Sequence, residues 1–115
     1  MRYMLLLYTN QAEWTALGES EERIIRDHFQ LIEELKQSGK YKTSDALDAI
    51  NTSTTVRVRN GKTLVSDGPF AETKEQLGGY YILDAKDLDE AMAIAARIPD
   101  ARAGSVEIRP IREFD

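Results

Sequence analysis

The sequence predicts an α+β fold of the split βαβ, ferredoxin-like kind, with a β-hairpin inserted between its first helix and the next central strand. Three observations carry that reading. Arg2–Tyr8 and Tyr80–Asp84 are apolar at consecutive positions, as strands covered on both faces must be. Ser20–Ser38 and Asp87–Pro99 carry apolar residues at helical spacing. Between them, Thr54–Arg59 and Lys62–Ser66 flank Asn60-Gly61, the strongest short-range hairpin signal a sequence offers.

Taken in order, the first strand presents Tyr3, Leu5 and Leu7 to one side and Met4, Leu6 and Tyr8 to the other. A polar connection holding Trp14 leads to the first helix, whose stripe is Ile24, Ile25, Phe29, Ile32 and Leu35. Glu21 and Glu22 favour its positive end and Gly39 stops it. Tyr41–Ser53 lacks a periodic signal; a short strand or a structured loop fits it equally well, and it is read as loop. In the hairpin, Val56 and Val58 alternate with Arg57 and Arg59, the wet side. Asp87 opens the second helix with Glu90 three residues on, an acidic variant of the capping box, and Pro99 ends it. Leu88, Ala91, Met92, Ala95 and Ile98 form its stripe, small enough for close packing on a sheet. Ser105–Ile111 closes the chain as a strand, with Val106 and Ile108 on one side and Glu107 and Arg109 on the other.

Two helices cover one face of such a sheet. The doubly apolar strands then leave a second apolar face, which calls for a homodimer stacked sheet on sheet.

Composition narrows the function. With 115 residues there is room for one domain, residues 1–115. A net charge of −5 disfavours direct nucleic-acid binding. The absence of cysteine removes disulfides, thiol nucleophiles and thiolate metal sites. One histidine without a two-histidine spacing gives no metal centre, and no dinucleotide or phosphate fingerprint is present, so no cofactor is expected. The Met4–Tyr8 run is too short for a membrane span or signal peptide, and a cytoplasmic protein without membrane contact is expected.

Two residues concentrate the site expectation. His28 lies four residues after Ile24 and four before Ile32, on or beside the sheet-facing stripe. It is read either as a packed side chain with one hydrogen bond or as part of a site. Asp67 opens the stretch DGPFAETKEQLGGYY. It reads as the N-cap of a short helical turn from Gly68 to Gln76 stopped by Gly78-Gly79, or as a carboxylate aimed at a pocket. Its usual local partner is missing, because the residue two positions on is Pro69, which has no N–H.

YMLLLY at the start, His28, TTVRV, DGPFAETKEQLGGYYI, LDEAMAIAARIP and SVEIRP occur in this order along the chain. In these blocks the sequence resembles the YCII-related family, in its DGPF-motif branch. The resemblance implies a dimeric ferredoxin-like fold, a dimeric α/β barrel-type assembly, and a histidine–aspartate active-site pair. A better understood relative type is a dehydrochlorinase of aromatic degradation, and DGPF proteins are often encoded beside extracytoplasmic-function sigma factors. Ser44–Asp48 departs from the glycine- and proline-rich sequence usual in the family at that point.

The expectation is therefore an enzyme that moves a proton on a small aromatic or enolisable molecule, dehydrochlorinase- or isomerase-like. His28 is the base or acid, Asp67 orients it, and Gly68, Pro69, Phe70 and Arg109 contact the ligand. The alternative is a non-catalytic, ligand-binding or regulatory dimer linked to a sigma-factor circuit.

Overall fold

In the computed structural model, which describes residues 1–114, four antiparallel strands form the main sheet in the order β2-β5-β1-β6. They are β1 (Arg2–Thr9), β2 (Tyr41–Ala46), β5 (Gln76–Asp84) and β6 (Gly104–Pro110). Strands β3 (Thr54–Arg59) and β4 (Lys62–Asp67) pair only with each other. The helices are α1 (Gln11–Leu17), α2 (Glu21–Gln37), α3 (Leu88–Ala95) and the single turn α4 (Asp100–Ala103). With the hairpin set aside, the order β1-α2-β2-β5-α3-β6 and the central position of β1 and β5 are those of the ferredoxin-like sandwich.

Alternation along the central strands builds the core. Tyr3, Leu5, Leu7, Tyr81 and Leu83 are buried beneath Leu31 and Leu35 of α2 and Ala91, Ile94 and Ala95 of α3. Met4, Leu6 and Ile82 point to the opposite face and are only half-buried. Each long helix has the caps its sequence promises. Ser20 accepts from Arg23 N–H, Asp87 accepts from Glu90 N–H at 2.9 Å, and Glu90 reaches back to Lys86 N–H. Gly39 (φ 74) lets Lys40 N–H return to the Leu35 carbonyl and close α2.

Four local expectations are corrected. Tyr41–Ser53 is not loop throughout, since Tyr41–Ala46 is the edge strand β2, paired to β5 and followed by a 3₁₀ turn at Ile50–Thr52. An edge strand with Lys42, Thr43 and Asp45 exposed has no apolar alternation to read. The Trp14 connection contains helix α1, capped by Asn10 on Glu13 N–H and ended by Gly18 at φ 67. Gly68–Gln76 forms bends and no helix, and Gly78-Gly79 lies inside β5 rather than after a helix. The stripes also rotate. Ile25, Phe29, Leu88 and Met92 are exposed, while Leu31 and Ile94 are buried.

The glycine pair has a structural reason. Leu7 faces Gly79 and Tyr8 faces Leu77, so Gly78 is the extra residue of a bulge in β5. A Cβ on Gly79 would sit 2.9 Å from the Asp45 carbonyl oxygen, so the close approach of β2 requires glycine there.

The hairpin is as expected. Asn60 (φ 51) and Gly61 (φ 75) take the positive φ of a type I′ turn. It projects from the sandwich, giving a flat molecule of 48 × 46 × 19 Å. The radius of gyration is 16.1 Å, against about 13 Å for a compact chain of this length. Among the described residues no helix is long and apolar enough to cross a membrane.

Candidate functional site

The β5 bulge opens one end of the sandwich into a cleft of about 1090 Å³ between the N-terminal half of α2, the edge strand β2 and the loop after the hairpin. His28 reaches its floor from α2, and Tyr81 rises from β5 to meet it. The Tyr81 hydroxyl lies 2.6 Å from His28 Nδ1, with the two rings tilted at 32°. Tyr81 is on the helix-facing side of the strand because it shares the alternation of Leu83 and Gly79, and a buried phenol must find a partner there.

On the other side of the imidazole, Nε2 lies 2.8 Å from Asp100 Oδ1. Asp100 is buried, held at the start of α4 directly after Pro99. Its Oδ1 accepts no well-directed hydrogen bond, because it lies off the line of the ring N–H. The carboxylate therefore keeps unused accepting capacity beside the cleft. Arg102, on the same turn, anchors α4 by pairing with Glu19 at 2.7 Å and Asp27 at 3.3 Å.

Electrostatics assign the proton positions. Burial, with the negative charge of Asp100 adding to it, pushes the Tyr81 phenol well above its ordinary value. Tyr81 therefore stays protonated and donates to Nδ1. The ring proton then sits on Nε2, toward Asp100, because a carboxylate facing a bare nitrogen at that distance would be repelled. The imidazole of His28 thus stands between the Tyr81 phenol at Nδ1 and the Asp100 carboxylate at Nε2, the second contact being one of charge and distance rather than a well-directed hydrogen bond.

Of the six candidate site residues His28, Asp67, Gly68, Pro69, Phe70 and Arg109, only His28 lines this cleft. The structure does not bring Asp67 to His28 within the chain, and Asp100 occupies the place expected of it. The reason is topological. Asp67 is the last residue of β4, exposed and paired with Thr54 in the hairpin, whose sheet is separate from the one His28 packs on. Gly68 (φ 96) turns the chain at the hairpin root, with its N–H on the Ser53 carbonyl and its carbonyl accepting from Thr55 Oγ1. Pro69 follows it, and Phe70 is 79% exposed with its carbonyl accepting from Arg57. Arg109 lies on the open face of the sheet, paired with Glu107 and opposite Met4.

Tyr81 and Asp100 were missed. The usable signals were a tyrosine in the buried register of a central strand and a lone acid straight after the proline that ends a helix. Among the described residues no three His, Asp or Glu side chains converge as a metal centre would require.

A four-stranded sandwich with an imidazole fixed between a phenol and a carboxylate, at the floor of a cleft beside a strand bulge, defines a small α+β domain with one polar site. The chain belongs to the YCII-related family, whose domain model matches residues 1–115. The motif Asp67-Gly68-Pro69-Phe70 is compatible with the DGPF branch. An uncharacterised protein of Rhizobium meliloti (strain 1021) is 38% identical over 114 residues, spanning 96% of this chain and 92% of the relative. Among solved structures, the chain is similar to 5-chloro-2-hydroxyhydroquinone dehydrochlorinase from Burkholderia phenoliruptrix AC1100, in complex with 2,5-dihydroxybenzoquinone. The TM-score is 0.57 at 14% identity, over 99% of this chain and 96% of that one, a likeness of fold.

Proposed function

We propose that the protein is an enzyme that removes or returns a proton on a small hydroxylated, aromatic or enolisable molecule, with Tyr81, His28 and Asp100 acting as a relay. The observation that supports it is the unbroken chain of contacts, 2.6 Å and 2.8 Å, along the cleft floor. A substrate hydroxyl donating to the Tyr81 oxygen passes its proton there as the phenol proton moves to His28 Nδ1. The phenol is neutral before and after, in keeping with the cost of a buried tyrosinate beside Asp100. The products of the step are a substrate anion and an imidazolium, which the Asp100 carboxylate stabilises as the acid does in a serine–histidine–aspartate triad. An enolate formed this way can expel a leaving group or be reprotonated elsewhere, which covers both elimination and isomerisation. The structural neighbour named a dehydrochlorinase works on a hydroxylated ring. At 14% identity that name suggests which compounds to try first.

A second reading keeps the same cleft as a binding site without turnover, in a homodimer stacked through the open sheet face and linked to a sigma-factor circuit. It is favoured by the fact that both nitrogens of the imidazole already face protein groups. Incubation with a panel of hydroquinones, chlorinated hydroxyquinols and enolisable acids, followed by chromatography and thermal shift, separates the two. Conversion that is lost in Tyr81→Phe and His28→Ala supports the relay. Stabilisation of the native protein without conversion supports the second reading.

A further inference from the structure

One wall of the cleft is the unbroken run from Ser44 to Ile50, which includes Ser44–Asp48, the segment where this chain departs from the sequence usual in the family. What that wall offers a ligand is set by this chain's own residues. Most of them are apolar. Of the two acids, Asp45 accepts from the Tyr80 hydroxyl and Asp48 from Ala49 N–H at 2.7 Å. Ser44 is the remaining polar side chain.

Ser44 reaches the cleft through an irregularity in β2. Residues three apart in a regular strand point to opposite faces. Here the pairing shifts between Tyr41 and Thr43, so that Tyr41 stands opposite Leu83 and Ser44 opposite Tyr81, both on the helix-facing side. A bulge re-aims a side chain in this way. The hydroxyls of Tyr41 and Ser44 consequently lie 2.7 Å apart. Tyr41 is itself held, packed against the core with the Lys36 ammonium 5.4 Å from the centre of its ring.

Acidity decides which of the two hydroxyls donates. A phenol is a far stronger acid than an aliphatic alcohol and the better donor, so Tyr41 donates to the Ser44 oxygen. Among the described residues Ser44 Oγ has no other hydrogen-bond partner, and its own O–H is left for the cleft it lines. Tyr81 is the opposite case, with its proton committed to His28 Nδ1 and its oxygen free to accept. Residues directly opposed in an antiparallel pair have Cβ atoms about 4.5–5.5 Å apart, so neighbouring strands bring an accepting and a donating hydroxyl to one cleft.

We propose that Ser44 is a specificity-determining residue, donating to a second oxygen of a substrate whose hydroxyl sits on Tyr81. This rests on the use of the Tyr81 oxygen described above and goes further by naming the class of molecule, one whose hydroxyl is conjugated with a carbonyl. When the hydroxyl proton leaves, the electron pair left behind spreads through the conjugated system to the carbonyl oxygen. The bond from Ser44 strengthens as that charge develops. A ring with a hydroxyl alone gains nothing from it.

Calorimetric titration of the native protein with two matched pairs tests this without turnover. The pairs are 4-hydroxyacetophenone against 4-ethylphenol and 3-hydroxyacetophenone against 3-ethylphenol, which place the carbonyl at two distances from the hydroxyl. In at least one pair the ketone is expected to bind about tenfold more tightly, the worth of one well-made hydrogen bond. Ser44→Ala is expected to cut that preference to less than about twofold while binding the ethylphenols as the native chain does, and Ser44→Thr, which keeps the hydroxyl, is expected to restore it. No preference in the native protein, or no binding of either pair, overturns the proposal. So does a preference that survives in Ser44→Ala, and so does an equal loss of both members of a pair, which would make the bond to Tyr41 a structural tie. The relay stands or falls separately, on conversion and its loss in Tyr81→Phe.

Discussion

The sandwich and the hairpin are both antiparallel β-structure, yet they are held together by opposite means. In β1 and β5, Leu5 and Leu83 are 0% exposed, and each such burial is worth roughly 1.5–3 kcal/mol. In β3 and β4 no side chain is buried. That ladder depends on its type I′ turn and on the hydrogen bonds at its root, from Thr55 to Gly68 and from Arg57 to Phe70. Tertiary contact makes one region and local chemistry the other. The cleft lies beside their junction, with one wall from α2 and β5 and the other from residues 46–50 and 73–74, the segments that lead into and out of the hairpin.

The contrast can be broken by mutation, beginning with the largest effect. Leu5→Ala should cost about 2–5 kcal/mol in urea titration, as a void in a packed core does. A loss below about 1 kcal/mol would mean the sandwich is loosely packed. Gly68→Val should cost roughly 1–3 kcal/mol, because its φ of 96 lies where a β-branched residue is strained, although there is open space around it. Glu72→Gln nearby edits an exposed charge and should change stability by less than about 0.5 kcal/mol.

The pH dependence follows from Tyr81. Its phenol is raised in the folded state, so the unfolded chain loses that proton first, near the ordinary value of 10.0. Above that pH the unfolded state binds fewer protons than the native one, and stability falls as pH rises, by at most about 1.4 kcal/mol per unit. Below it the contribution is fully present. Tyr81→Phe should flatten this alkaline slope, and an unchanged slope would show that the phenol is not buried in solution.

A comparably small effect belongs to the hairpin. Val65→Ala should change stability by less than about 0.5 kcal/mol, because its side chain is exposed. Hydrogen exchange should find the amides of residues 54–67 opening far more readily than those of β1 and β5. Protection of both regions to the same degree at low concentration would remove the distinction between them.

The same division explains what could be read in the sequence. Val56, Val58 and Asn60-Gly61 declare the hairpin because a two-residue turn and an alternating pattern are local. Leu5 and Leu83 declare central strands because a doubly covered strand needs apolar residues in succession. Tyr41–Ala46 was opaque because its pairing is supplied by β5 and its own side chains mostly face water. In the site, His28 was legible from its place on the helix stripe. Its partners were not, since the contacts to Tyr81 and Asp100 span 53 and 72 positions and depend on how β5 and α4 pack. Asp67 stood out by its local chemistry, and the structure places it exposed at the end of β4, away from the cleft that holds His28.

His28 is the sole histidine, so its ring nitrogens can be observed without assignment ambiguity. Long-range proton–nitrogen NMR of the native protein near pH 8 tests the arrangement most directly. The account predicts that Nδ1 accepts from Tyr81 and that the ring proton is held on Nε2, on the Asp100 side; Tyr81→Phe should release the tautomer and Asp100→Asn should shift the Nε2 resonance. A ring averaging between tautomers as in free imidazole, or one protonated at Nδ1 and unmoved by either substitution, would contradict it.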